Sequence, residues 1–248
     1  TTSNNTAIQQ DNNHHNPAQN IIPAPPEHPP PPRLQHPQII SVRQHGQALI
    51  TFTLTEIENF QGGAIITEVY PTGVRGGAVD QAVLERGGYE LHQARVARAP
   101  SGGQRFHNAE TGHTLGGRLQ AKYSITTCVP ELGELHQNNE PVRVIEKLIR
   151  LAYRNAFQRA EYLELKVVAC DFLGTEYAKD DAEKRWLLGL GVDEASTFLF
   201  RNVQQLFMVA RVKGDAKKIE DICDISTPRG PTTNNITPTP TPPSPQEG

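Results

Sequence analysis

The chain has 248 residues and a formal net charge of −3 at pH 7. So small a net charge gives the chain no global field that would draw it to nucleic acid or to an anionic membrane surface. No apolar run approaches the ~20 residues that a membrane helix needs. The three cysteines, Cys128, Cys170 and Cys223, lie far apart in apolar or amphipathic stretches. We therefore expect buried thiols in a reducing cytoplasmic or nuclear compartment, with neither membrane nor nucleic acid as a partner.

The two ends of the chain differ in composition from its middle. Residues 1–40 are rich in Asn, Gln, His and Pro, and residues 226–248 are rich in Thr and Pro. Because such segments bury too little apolar surface to offset their conformational entropy, both are predicted to be disordered tails. Residues 41–225 form one domain of ordinary globular composition. Pro23–Pro32 can adopt polyproline II, which makes it either a flexible spacer or a ligand for an SH3- or WW-type domain.

Strands and helices alternate along the predicted domain. Runs of β-branched and apolar residues predict strands over 48–54, 64–69, 123–129, 165–172 and 206–212. Apolar residues at three- and four-residue spacing, with capping and turn signals, predict helices over 78–92, 141–163, 177–188, 193–202 and 215–223. This alternation favours a largely parallel sheet with helices on both faces.

Two glycine-containing loops follow predicted strands. Gly73–Gly77 leads into the helix predicted over 78–92, and Gly174 follows the strand predicted over 165–172. Glycine lets a backbone approach a ligand closely, and the unpaired N–H groups at a helix start favour phosphate. Arg75 would add a positive charge beside them. The loops therefore suit a diphosphate, although neither matches a Walker or dinucleotide pattern and a Gly pair before a helix also serves ordinary packing.

The order and spacing of these segments resemble the macrodomain family, whose members bind ADP-ribose. Thr55–Glu58 is similar to the family's G-D-I-T, and Gly63–Tyr70 to its D-A-I-V-N-A-A-N. Arg75–Asp80 and then Ala82–Leu91 resemble its G-G-G-V loop and its A-I-x-x-A-A-G-x-x-L helix. Leu119–Pro130 is similar to L-P-A-K-Y-V-I-H-T-V-G-P. The resemblance implies a three-layer α/β/α fold with a mixed central sheet.

The resemblance also implies a site for ADP-ribose or for an ADP-ribosylated protein. Glu56 would lie near the adenine and Tyr70 near the distal ribose, and Asp80 aligns with the acid credited with catalysis in hydrolytic relatives. No metal and no other cofactor is expected. The ligand-binding residues expected on this basis are Glu56, Thr67, Tyr70, Arg75, Gly76, Gly77, Ala78, Val79, Gly174, Thr175, Glu176 and Tyr177.

Four of these positions depart from the family pattern. Glu56 stands in place of an aspartate, Thr67 in place of the first asparagine of N-A-A-N, and Tyr70 puts a ring in place of the second. Glu176 puts a negative charge near the expected diphosphate, and Asp80 in a first helical turn also suits the helix dipole. Three functions stay open: an ADP-ribose-binding module with weak or no catalysis, an ADP-ribosyl hydrolase that uses Asp80, and a degenerate macrodomain that is a scaffold for protein or RNA contacts.

Overall fold

The computed structural model describes residues 37–71, 73–99 and 105–226. The sequence predictions for residues 1–36 and 227–248, which include most of both tails and the Pro23–Pro32 segment, lie outside the described residues.

The described residues form a seven-stranded sheet in the order β1-β2-β7-β6-β3-β5-β4. The five central strands are parallel to one another, and each edge strand is antiparallel to its neighbour. The mixed central sheet that the resemblance implied is confirmed. The strands are β1 (Gln38–His45), β2 (Ala48–Leu54), β3 (Gly62–Val69), β4 (Thr111–Leu115), β5 (Ala121–Cys128), β6 (Val167–Asp171) and β7 (Gln205–Ala210).

Helices cover both faces of the sheet. Helix α1 packs on one face through Val83 and Leu91, against Ile65 of β3 and Val209 of β7. The last three helices share the larger core on the other face. This is a three-layer α/β/α arrangement. The helices are α1 (Ala78–Arg98), α2 (Leu132–Gln137), α3 (Val142–Tyr162), α4 (Asp181–Thr197) and α5 (Lys213–Ser226), with short 3-10 turns at Ile57–Asn59 and Thr175–Tyr177.

The helix predicted over 141–163 is α3, and its apolar spacing explains how it packs. Ile145, Ile149, Ala152, Ala156 and Ala160 recur every three or four residues and are all buried. Small residues on this face let α3 lie close to the sheet, since the carbonyl oxygen of Ala152 lies 3.5 Å from the hydroxyl of Thr127 in β5.

The two helices predicted over 177–188 and 193–202 are wrong in their bounds, because one helix, α4, covers most of the first and half of the second. Asp180 caps its start by accepting a hydrogen bond from the Glu183 N–H at 2.8 Å. The helix runs on through Gly191, where the absence of a side chain leaves room for the Tyr153 hydroxyl and the Phe172 ring. It ends at Thr197, so residues 198–202 are not helical.

The cysteines and the helices of the described residues bear on two further sequence predictions. Cys128 and Cys170 lie buried in β5 and β6, as the sequence predicted. Burial raises the pKa of the Cys128 thiol to about 12, so it stays protonated and packs as a small apolar side chain. None of the described helices is both long enough and apolar enough to cross a membrane.

Candidate functional site

The two glycine-containing loops meet at the carboxyl edge of the sheet. Strand β3 leads into the loop Gly73–Gly77, and β6 leads into the loop Gly174–Tyr177. Because β3 and β6 are hydrogen-bonded neighbours, both loops leave the sheet side by side. Gly76 is buried against the carbonyl oxygen of Glu68, and any side chain there would meet that backbone. We call these two loops and the space around them the cleft.

Asp80 lies beneath the first loop in a buried ion pair, with 1% of its surface exposed. Its carboxylate accepts the Nη1 protons of Arg95 at 2.7 Å, the Thr67 hydroxyl at 2.6 Å and the Gly76 N–H at 2.7 Å. Arg95 also donates from Nη2 to the Ser124 hydroxyl at 2.9 Å. The carboxylate therefore ties the glycine loop, α1 and the sheet together, and its oxygens are engaged inside the protein.

Glu176 occupies the start of α1, where the sequence predicted a phosphate. Its two carboxylate oxygens accept the Ala78 N–H at 2.7 and 2.9 Å. Ala78 is the first residue of α1, where backbone N–H groups lack partners within the helix and the helix dipole favours negative charge. Gly77 makes room for this contact, since a side chain there would collide with the Glu176 carboxylate.

The second loop is held to the carboxyl end of β3 by two further hydrogen bonds. The Tyr177 hydroxyl donates to the Tyr70 hydroxyl at 2.5 Å, and the two rings lie 5.6 Å apart between centroids. The Gly174 N–H donates to the Glu68 carboxylate at 2.5 Å. Burial, with the hydrogen bond to Tyr70, raises the pKa of Tyr177, so its phenol keeps the proton that it donates.

Two buried carboxyl groups, Glu68 and Asp171, lie at the base of the cleft and were not among the predicted site residues. Burial, and then the nearby Asp171, raise the pKa of Glu68 well above its usual range. Burial also raises the pKa of Asp171 to about 8, although its oxygen accepts the Phe172 N–H at 2.8 Å. Each acid stands at the carboxyl end of an otherwise apolar parallel strand, and that position is the sequence signal that could have found it.

Predicted site residues line two cavities. One, of about 740 Å³, lies beside the residues that follow β5 and is lined by Tyr70, Tyr177 and Glu131. The other, of about 440 Å³, lies near the end of β2 and is lined by Glu56 and Phe207. Strands β2 and β5 lie on opposite sides of the β6–β3 pair.

The remaining predicted site residues lie in or near the two loops and the cavities. Arg75 is exposed on the first loop, and Val79 is half-buried in the first turn of α1. The Thr175 hydroxyl donates to the Phe172 carbonyl at 2.8 Å and so supports its own turn. Glu56 accepts a hydrogen bond from the Asn59 side chain at 2.8 Å, at the far end of the cleft from Tyr70. Within the described residues no cluster of three or more His, Cys, Asp or Glu side chains is arranged to hold a metal ion.

Comparison with known proteins gives matches among solved structures. No protein-family model matches the chain, and no curated protein matches it either. The macrodomain of Oceanobacillus iheyensis with ADP superimposes with a TM-score of 0.66 at 18% identity, covering 77% of this chain and 97% of that one. The Trypanosoma brucei macrodomain in complex with ADP-ribose gives a TM-score of 0.59 at 17% identity, covering 79% and 78%.

The chain has the macrodomain fold. The resemblance seen in the sequence is therefore confirmed at the level of the fold. Three of the departures from the family pattern border the cavities or the glycine loops: Tyr70 lines the larger cavity, Glu56 lines the smaller one, and Glu176 contacts the start of α1.

Proposed function

We propose that this macrodomain-fold protein binds ADP-ribose, or a related nucleoside diphosphate, without turning it over. The observation that carries the proposal is the anion already bound at the start of α1, where the Glu176 carboxylate accepts the Ala78 N–H. Phosphate and carboxylate oxygens make the same charge-assisted hydrogen bond to such an N–H. The Oceanobacillus and Trypanosoma macrodomains with ADP and ADP-ribose support this class of ligand.

The two cavities fit the two ends of such a ligand. The diphosphate would cross the Gly76–Ala78 backbone, with the adenine toward Glu56 and the distal ribose toward Tyr70. The cavity volumes of about 440 and 740 Å³ lie in the range usual for small-molecule sites. The tyrosine pair closes the ribose side with two hydroxyl groups, which are suitable partners for a sugar.

The environment of Asp80 favours binding over hydrolysis. A carboxylate that orients water or substrate must reach the ligand, and Asp80 is buried with its oxygens bonded to Arg95, Thr67 and Gly76. Its position supports a structural role beneath the loop. We therefore expect no release of ADP-ribose from a modified protein.

Isothermal titration of the full chain with ADP-ribose tests the proposal, together with the variant Ala78→Pro. Proline lacks the N–H that would hold the phosphate, and it is tolerated in the first turn of a helix. Gly77 is extended, with φ −74° and ψ −164°, as a residue before proline must be. We expect Ala78→Pro to fold with an unchanged melting temperature and to lose ADP-ribose.

Val142→Pro is the matched control, because Val142 is the exposed first residue of α3. It should bind ADP-ribose as the unchanged chain does. Equal affinity of Ala78→Pro and the unchanged chain would show that the phosphates do not contact α1. Absence of binding at millimolar ADP-ribose, both by the chain and by the Glu176 variants below, would overturn the proposal and leave a scaffold for protein or RNA contacts.

A further inference from the structure

We infer that Glu176 is a built-in competitor for the phosphate position and that it sets which ligands the cleft accepts. The inference rests on the proposed function, since it concerns the same cleft. It adds a specificity-determining residue and a chemical criterion for the ligand. An anion of higher charge than a carboxylate displaces Glu176, whereas an uncharged nucleoside binds without displacing it.

The hydrogen-bonding geometry makes the competition direct. Both Glu176 oxygens lie within 2.9 Å of the Ala78 nitrogen. One N–H cannot serve this carboxylate and a ligand phosphate at the same time. Gly77, on which the carboxylate rests, is also the residue over which a diphosphate would pass.

The charges around the contact add to the competition. Glu176 itself brings a negative charge to the start of α1. Two positive charges near the loops are engaged elsewhere: Arg95 is paired with Asp80, and Arg211, whose guanidinium lies 3.4 Å from the Ala78 carbonyl oxygen, is paired with Glu58. A diphosphate brought beside Glu176 would therefore meet the like charge of its carboxylate, so we expect it to bind only when the Glu176 side chain has moved away.

The movement required is small. Glu176 is exposed, so its side chain can rotate into water. The residues on either side of it in the loop stay fixed by their own bonds, Tyr177 to Tyr70 and Gly174 to Glu68. Displacement therefore needs a change of side-chain rotamer and leaves the loop backbone in place.

The measured affinity then depends on how often Glu176 is displaced. A ligand that binds only the open arrangement has an apparent affinity lowered by the fraction of molecules in that arrangement. ADP-ribose should show this loss in full. Adenosine should show none of it, because it carries no group for the start of α1.

Titration of the full chain with ADP-ribose and with adenosine tests the inference, using Glu176→Gln and Glu176→Ala. The first variant removes the charge and keeps the size, and the second removes both. We expect at least about tenfold tighter binding of ADP-ribose in each, and a change of less than about twofold for adenosine. Glu140→Gln, an exposed glutamate outside the cleft, controls for the net charge and should leave both affinities unchanged.

A second measurement needs no ligand. The chemical shift of the Ala78 amide proton should change in NMR spectra of Glu176→Ala, because the hydrogen bond to the carboxylate is lost, and it should stay unchanged in Glu140→Gln. The same Ala78 chemical shift in Glu176→Ala and in the unchanged chain would overturn the contact itself.

The outcomes separate the two proposals. ADP-ribose binding that is equal in the chain and in both Glu176 variants overturns the competitor and leaves the proposed function standing. Tighter binding of adenosine to the same degree as ADP-ribose would show that Glu176 acts on the whole cleft and also overturns the inference. No ADP-ribose binding by any of the three proteins overturns the proposed function.

Discussion

The ion pair of Asp80 and Arg95 joins three parts of the protein at one buried point. Arg95 has 2% of its surface exposed, and its partners come from α1, β5 and, through Asp80, the glycine loop and β3. A charge left alone in such a place has no water to solvate it. Loss of binding in an Asp80 variant would therefore indicate a loss of folding, and would not by itself indicate a catalytic role.

At this scale we predict that Asp80→Asn lowers the free energy of unfolding by about 3–5 kcal/mol, because Arg95 is left buried and unpaired. Urea unfolding measures the change. Adding Arg95→Met in the same chain should recover part of the loss, since the unpaired charge is then gone. Asp193→Asn, which breaks an exposed pair with Arg150, should change stability by less than about 1 kcal/mol. If Asp80→Asn also lowered the free energy of unfolding by less than about 1 kcal/mol, that result would contradict the buried ion pair.

The sequence could predict some of these residues and not their environments. Asp80 and Glu176 stand out because the resemblance aligns them with a ligand. That Asp80 faces Arg95, fifteen positions later and alongside Ser124 of β5, depends on how α1 packs on the sheet. Asp171 appears in sequence as the polar end of a strand, and its raised pKa arises from burial between loops that meet only in the folded chain.

Helix α1 is bent at Gly88, which has φ 74° and ψ −163°. The bend lets the carbonyl of Gly87 accept the Arg118 N–H at 2.9 Å, from the turn between β4 and β5. The predicted helix over 78–92 is thus correct in its start and too short, because α1 resumes after the bend and runs to Arg98.

At the scale of elements we predict that Gly88→Ala destabilises the protein by about 1–3 kcal/mol, since a residue with a side chain is strained at positive φ. The added carbon would also meet the Arg118 guanidinium. Thermal or urea unfolding checks this. Gly189→Ala is the control, because it lies within α4 with open space around it and should raise stability by about 0.5–1 kcal/mol. Equal effects of the two substitutions would contradict the bend.

The central strands were predictable and the edge strands were not. The strand predicted over 48–54 coincides with β2, since its β-branched and apolar residues are buried by layers on both sides. Strand β1 and strand β4 were absent from the prediction. Both pair with one neighbour only, and β4 has five residues with a glycine among them. Their residues therefore differ little in polarity from those of the loops beside them.

For the whole molecule, the buried acids of the cleft link stability to pH. Burial raises the folded-state pKa of Glu68, and that of Asp171 to about 8, while both groups titrate near 4 in an unfolded chain. The folded protein therefore holds protons that the unfolded chain has released. The contribution of Asp171 to stability is fully present at and below pH 4 and is lost as the pH rises from about 4 to 8, and the contribution of Glu68 is lost in the same direction.

We predict that Asp171→Asn gains stability relative to the unchanged chain as the pH rises from 5 to 8, because asparagine has no proton to release. Unfolding free energies measured at intervals across that range give the difference. Asp224→Asn, at an exposed position in α5, should run parallel to the unchanged chain. Parallel curves for Asp171→Asn would show that the pKa of this carboxyl is not raised.

The antiparallel pairing of β1 has a consequence for anything attached to the protein. Gln38 lies opposite Leu54, at the cleft edge of the sheet, and Pro37 lines the same cavity as Glu56. Helix α5 leads to the opposite edge, where the Arg43 guanidinium donates to the Cys223 carbonyl at 2.8 Å. The described chain thus begins beside the cavity that Glu56 lines. A fusion partner or surface anchor is better placed after α5.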